Sequence, residues 1–145
     1  LTGVISSYKT KNDESFRLPI LTWEYCYLAY PFNDSIVAGL SDEHNYYHEE
    51  IKDGFGLIID DSHVLSPYFK LGDQILCAPH SKLKHFDLVL YCDEQSKKFK
   101  FGIIISHQGV LSIQSLHQEY LDCNINIKDS LQNPIVGQII SIQSV

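Results

Sequence analysis

A series of short β-type runs, separated by turn-forming residues, constrains the fold of this chain more than any other feature. The runs are rich in Val, Ile, Leu, Phe and Tyr, which favour pleated and half-buried strands. Turn candidates separate them at 93–98 and 106–109, and no stretch has a long helical period. The pattern predicts a mostly-β single domain of packed and coiled sheets, with 98–106 and 110–116 as a hairpin. The runs occupy 55–59, 73–79, 86–92, 98–106, 110–116 and 134–142.

The length and texture of the chain favour one domain with a short arm before it. The 145 residues suit a single domain. Residues 1–16 are polar and are interpreted as a linker or arm, and 17–145 as the β domain. Within that domain, 31–53 is polar and charged, so we interpret it as a long connection.

The charge balance restricts the partners of the chain. A net charge of -7 repels phosphate, so we do not expect this chain to bind nucleic acid by itself. The four cysteines lack C-x-x-C spacing, which favours free thiols in a reducing cytoplasm. No apolar run approaches a membrane span and no signal peptide is visible. The sequence therefore predicts a cytoplasmic location, with no membrane association, cofactor, metal or small-molecule ligand.

Histidines are the remaining candidates for site chemistry. His44 and His48 are four residues apart, the spacing that shares a metal on one helix face, but the H-E-x-x-H order is absent. We interpret both as part of a solvated loop. The other histidines lie singly near turns and are expected to face solvent; they are His63, His80, His85, His107 and His117.

The order of several segments carries a resemblance to a known family. These segments are LPILTW at 18–23, FGLIIDDS at 55–62, SPYFKLGDQILCAP at 66–79, FDLVLY at 86–91, KFKFGIII at 98–105, GVLSIQSLHQEY at 109–120 and PIVGQIISI at 134–142. In order and spacing they resemble the C-terminal domain of LexA-like and phage-repressor-like transcription regulators, a family of self-cleaving Ser–Lys peptidases. Phe86 stands where that family usually has glycine.

The resemblance implies a cleavage site and a nucleophile, and both depart from the family pattern. Cys26–Tyr27 occupies the place of the scissile Ala-Gly or Cys-Gly pair, with a large ring where glycine should be. Ser62 is the candidate nucleophile, although ungapped alignment from the two sides places His63 or Val64 there. A serine in a turn beside two aspartates is the competing interpretation.

The general base of the family is also replaced. Gly102 stands where the resemblance places the lysine that takes the serine proton. Lys100 lies two residues earlier on the same strand face, about 6.6 Å away, and we interpret it as a solvated strand lysine rather than a substitute base. A true Ala-Gly pair, Ala38–Gly39, is interpreted as a loop pair.

Together these departures predict a vestigial domain rather than an active peptidase. The resemblance implies a dimerisation or regulatory domain of a helix-turn-helix transcription regulator without autoproteolysis, and the alternative is a self-cleaving serine peptidase using Ser62 with an atypical base. A small β ligand-binding module is a third possibility. Because the chain begins at Leu1 and not Met, we expect either a fragment of a longer protein or a processed start. The resemblance implies a helix-turn-helix domain, and with it all DNA binding, outside this chain.

The last apolar run supplies a prediction about self-association. PIVGQIISIQSV at the chain end is rich in Ile and Val, and a terminal strand can lie at a sheet edge, where it invites pairing with a neighbour. We therefore expect a two-fold homodimer with Ile139 or Ile140 at its interface. The competing interpretation is that this strand completes the core.

Overall fold

The predicted mostly-β architecture is confirmed. The computed structural model describes residues 8–9, 15–30, 43–117, 124–127 and 133–144, and within these ranges strands predominate over one short helix. The elements are β1 Tyr8–Lys9, β2 Phe16–Pro19, α1 Trp23–Ala29, β3 His44–Tyr47, β4 Phe55–Ile58, β5 Gln74–Ala78, β6 Leu88–Cys92, β7 Phe99–His107, β8 Val110–Ser115, β9 Asn124–Asn126 and β10 Ile135–Gln143.

The chain divides into two compact units, residues 1–80 with 140–145, and residues 81–139. In the first unit, β1, β2 and β3 form an antiparallel sheet in that order. The antiparallel pair β4–β5 also belongs to this unit, with β10 beside β5. A parallel bridge joins Ile20 to Gly56. The core of the unit consists of apolar side chains from these elements, including Leu18, Phe55, Leu57, Ile59, Phe69, Ile75, Leu76 and Cys77.

The second unit is an antiparallel sheet in the order β10, β6, β7, β8 and β9. The predicted hairpin is confirmed: β7 and β8 pair from Gly102↔Ser115 to His107↔Val110. Gln108 and Gly109 connect them with φ of 50° and 79°, and positive φ at both loop residues is what a two-residue hairpin turn with the strand twist requires. The core of this sheet is Val89, Tyr91, Ile104 and Ile113.

Helix α1 arises where the sequence shows no long helical period. The Thr22 side chain caps its first turn by accepting a hydrogen bond from the Tyr25 N–H at 3.1 Å. Glu24 adds a negative charge near the positive end of the helix dipole. The helix ends at Ala29, and Tyr30 is extended at ψ 133°. Pro31 follows in the sequence, and a residue before proline disfavours the helical region.

Two segments interpreted as irregular contain strands. His44–Tyr47 lies within the predicted connection 31–53, yet it forms β3 and pairs in register with β2, so that interpretation is wrong for these residues. Tyr8–Lys9, which lies inside the predicted arm 1–16, pairs with Phe16–Arg17. Partner strands distant in sequence stabilise polar segments that local patterns leave unassigned.

No helix in the described ranges is long and apolar enough to cross a membrane.

The last strand does not lie at a sheet edge. β10 has a neighbour in each unit, β5 in the first and β6 in the second, so the edge position predicted for it is wrong. Ile139 is 6% exposed and Ile140 is half-buried. A side chain as buried as Ile139 packs within its own chain and has little surface left for a partner. The competing interpretation, that this strand completes the core, agrees with the structure.

Candidate functional site

The Cys26–Tyr27 peptide bond lies inside α1. The Cys26 N–H donates to the Thr22 carbonyl at 3.2 Å, and the Cys26 carbonyl accepts from the Tyr30 N–H at 3.0 Å. The Cys26 side chain is fully buried, and burial raises the pKa of its thiol to about 12. The Cys26–Tyr27 peptide is therefore helical and hydrogen-bonded, rather than part of an extended loop open to a nucleophile.

Ser62 lies in a tight turn after β4. Its N–H donates to Asp60 Oδ1 at 3.1 Å, and the backbone N–H of His63 donates to the Asp60 carbonyl at 3.0 Å. Ser62 and Val64 are both exposed. An aspartate that accepts a hydrogen bond from the backbone two residues later is a typical turn device, so the geometry favours the turn interpretation of this serine.

His63, the alternative at the nucleophile position, is the most enclosed polar side chain of this turn. It is 9% exposed, so the prediction that it faces solvent is wrong. Its Nδ1 is 2.5 Å from Asp60 Oδ1, and its Nε2 is 3.2 Å from the Tyr27 hydroxyl. The indole ring of Trp23 stacks on the imidazole, with ring centroids 3.5 Å apart and an angle of 6° between the planes.

The structure therefore brings together two segments that the resemblance singles out. Tyr27, from the segment compared with the family's cleavage site, contacts the histidine that follows Ser62. The sequence carries a partial signal for this cluster, because Asp60 and His63 are three residues apart in a turn-forming DDSH segment. No local sequence pattern indicates that Trp23 and Tyr27 pack against His63.

Among the other histidines, His80, His85 and His107 are exposed as predicted. His117 is half-buried and accepts a hydrogen bond from the Phe101 N–H at 3.0 Å.

Gly102, where the resemblance would place the family's lysine, has no room for a side chain. It is buried in β7, and a Cβ there would lie 2.5 Å from Ile113 Cγ2, 3.0 Å from the Gln114 carbonyl oxygen and 3.1 Å from Tyr91 Cε1. Atoms at these separations overlap. The position is therefore closed to any residue with a Cβ unless the neighbouring strand shifts.

Lys100, the remote alternative base, is engaged elsewhere in the second unit. Its Nζ lies 3.6 Å from Asp93 Oδ2, and its side chain is 12% exposed. The interpretation of Lys100 as a solvated strand lysine is therefore wrong, because little of the side chain is exposed and its ammonium lies beside the Asp93 carboxylate. Burial acts to raise the pKa of Asp93, but hydrogen bonds from Ser96, with Lys100 nearby, hold it below its usual value.

The remaining candidates give no further site. Within the described ranges, no three His, Cys, Asp or Glu side chains are placed to share a metal ion. His44 belongs to a strand rather than a helix, so the i,i+4 geometry considered for His44 and His48 does not arise. Ala38–Gly39 lies outside the described residues.

No family model matches this chain, and no curated protein matches it. Inference about function therefore depends on the residues and the geometry of the chain itself.

Proposed function

We propose that this chain is a dimerisation or regulatory domain of a phage-repressor-like, helix-turn-helix transcription regulator, and that it does not cleave itself. The observation that carries the second part is the helical state of the Cys26–Tyr27 peptide. A serine nucleophile must approach a carbonyl carbon whose oxygen then takes up negative charge. The Cys26–Tyr27 peptide is instead held in a helical conformation by the backbone hydrogen bonds of α1, not presented as an extended segment to a nucleophile.

The absence of a base at Gly102 supports the same conclusion. A serine needs a neighbouring general base, which is worth about 10²–10⁴-fold in rate. The close contacts around Gly102 leave no space for one on that residue, and the ammonium of Lys100 lies beside the Asp93 carboxylate.

Phe86 supports the proposed family register. The resemblance places a family glycine at this position, and Phe86 has a φ of 75°. This left-handed region favours glycine and is costly for a bulky side chain. A backbone conformation suited to glycine therefore persists where the glycine itself is replaced.

Pairing of protomers is the regulatory role that this proposal gives the domain. A helix-turn-helix domain attached to it would bind two half-sites more tightly when tethered as a dimer. The acidic chain itself, with a net charge of -7, is unsuited to phosphate contacts. Of the two residues expected at the interface, Ile139 is buried within its own chain, whereas Ile140 is half-buried and has more surface left for a partner.

Self-cleavage is tested by following the intact mass of the purified chain at mildly alkaline pH over several days. We expect one unchanged mass. Fragments split after Cys26 or Ala38 that disappear in Ser62→Ala would contradict the proposal and favour the peptidase alternative. Lys100→Ala then shows whether that lysine serves as the base.

Pairing is tested by light scattering over a concentration series, together with a fusion. The chain is joined to a helix-turn-helix domain that binds its operator only as a dimer, and operator affinity is compared with that of the same domain alone. We expect a dimer and tighter operator binding by the fusion. A monomer at high micromolar concentration, with no gain in operator affinity, would contradict the pairing role.

A further inference from the structure

His63 lies between a carboxylate and a phenol in the first unit. Asp60 Oδ1 is 2.5 Å from His63 Nδ1, and the Tyr27 hydroxyl is 3.2 Å from His63 Nε2. Both ring nitrogens of one buried imidazole therefore have hydrogen-bond partners from different elements, a turn on one side and α1 on the other. None of this is required for the regulatory role proposed above.

The carboxylate determines which nitrogen of His63 carries the proton. An ionised Asp60 can only accept a hydrogen bond, so Nδ1–H donates to it. In the neutral imidazole, Nε2 then presents its lone pair to Tyr27 and accepts the phenolic proton. Asp60 is itself held in place, because its Oδ1 also accepts the Ser62 N–H at 3.1 Å.

Aromatic packing fixes the plane of the imidazole. The Trp23 ring stacks on His63 at 3.5 Å, and its indole N–H donates to the Ile58 carbonyl at 2.7 Å. Trp23 and Tyr27 are four residues apart on α1, so they lie on the same helix face. The imidazole is therefore oriented towards the phenol.

From this geometry we infer that Tyr27 is an activated phenol, with His63 as its base and Asp60 as the positioning residue, and that it accepts an acyl group from activated esters. A nucleophilic oxygen, a base within hydrogen-bond reach and a third group that orients the base form the arrangement that activates hydroxyl nucleophiles. Tyr27 is 37% exposed, so a small acyl donor can reach its side chain from solvent.

The acyl transfer balances without any further reactant. The Tyr27 oxygen attacks the ester carbonyl carbon while His63 Nε2 takes the phenolic proton. The bond from that carbon to the leaving alkoxide or phenolate then breaks, and the leaving group departs with the electron pair. His63 returns its proton to solvent, and Tyr27 remains as an acyl ester.

The test uses p-nitrophenyl acetate on the whole chain, with peptide mass mapping of acetylated tyrosines over time. Tyr46 and Tyr68 are internal controls, since they are 48% and 50% exposed and simple accessibility would favour them. We expect Tyr27 to be acetylated at least about tenfold faster than either control. This threshold is set low, because a positioned general base typically contributes about 10²–10⁴-fold in rate. Equal or slower acetylation of Tyr27 would overturn the inference.

Asp60→Asn is the matched variant, because it keeps the size of a side chain that is 50% exposed while allowing the opposite tautomer of His63. We expect the acetylation rate of Tyr27 to fall about tenfold or more, with Tyr46 and Tyr68 unchanged. Emission from Trp23, the only tryptophan, reports whether the stack on His63 persists. An unchanged acetylation rate of Tyr27 in this variant would overturn the roles given to His63 and Asp60. If the emission shows that the stack on His63 is lost, the comparison of Tyr27 with Tyr46 and Tyr68 in the wild type decides the inference.

Discussion

Replacement of Gly102 by alanine should destabilise the protein, because the added methyl group has no space. Its Cβ would lie 2.5 Å from Ile113 Cγ2 and 3.0 Å from the Gln114 carbonyl oxygen, and the latter is backbone that cannot rotate away. Overpacking of this kind costs about 1–3 kcal/mol. Replacing a strand glycine recovers about 0.5–1 kcal/mol of conformational entropy. Taken at their midpoints, the two effects leave a net loss of about 1 kcal/mol, equivalent to a fall in Tm of about 2–4 °C for a chain of this size.

Gly56→Ala is the matched control, since Gly56 is also a buried strand glycine. The nearest atoms to its added Cβ are Leu76 Cδ2 at 3.2 Å and Ile20 Cγ1 at 3.3 Å, both on side chains that can give by a few tenths of an ångström. Urea unfolding followed by circular dichroism compares the two variants. Equal stability of wild type and Gly102→Ala, or a larger loss in Gly56→Ala, would refute the packing argument. A lysine at position 102 meets the same obstacle, so Gly102→Lys should also destabilise the chain.

Three further outcomes follow from the described geometry. Cys26 and Cys77 should resist thiol reagents until the protein unfolds, because burial raises the pKa of both thiols; mapping of alkylated cysteines in native and denatured protein checks this, and rapid native labelling of either would contradict it. Asp93→Asn should lower the free energy of unfolding by about 1–2 kcal/mol near neutral pH. Because folding lowers the pKa of Asp93, its contribution is present above the ordinary carboxyl value of 3.8 and is lost as the pH falls through the folded-state pKa. Urea titrations near neutral pH and in acid should therefore show the difference in unfolding free energy between wild type and Asp93→Asn shrinking in acid. A difference that stays constant would show that the stabilisation does not depend on the charge of Asp93. Phe86→Gly should change stability by less than about 1 kcal/mol, since relief of left-handed strain offsets the loss of a ring that is 68% exposed; a large loss in the same titration would place that ring in a stabilising contact.

Much of the strand framework is predictable from the sequence because its determinants are local. The apolar runs at 55–59 and 98–106 become β4 and β7 since β-branched and aromatic residues favour pleated strands. Gln108 and Gly109 form the predicted turn because glycine tolerates the positive φ that a tight hairpin needs. The start of α1 also has a local signal, Thr22 followed by Glu24, although seven residues are too few to show a helical period.

The candidate site depends on contacts between segments that are distant in sequence. Trp23 and His63 are forty positions apart, and their stacking follows from how α1 packs on the turn after β4. The spacing of Asp60 and His63 is a partial local signal, but it does not show that His63 is buried whereas His80 and His107 are exposed.

The sequence by itself predicted several of the strands and the β7–β8 hairpin, because each is a property of residue type and local spacing. Tertiary structure alone decided that β10 is an interior strand, that the Cys26–Tyr27 peptide is helical and that Gly102 has no space for a Cβ. Strand order and close packing arise from long-range pairing. Physically, the free energy of a buried position is set by neighbours that the local sequence does not contain.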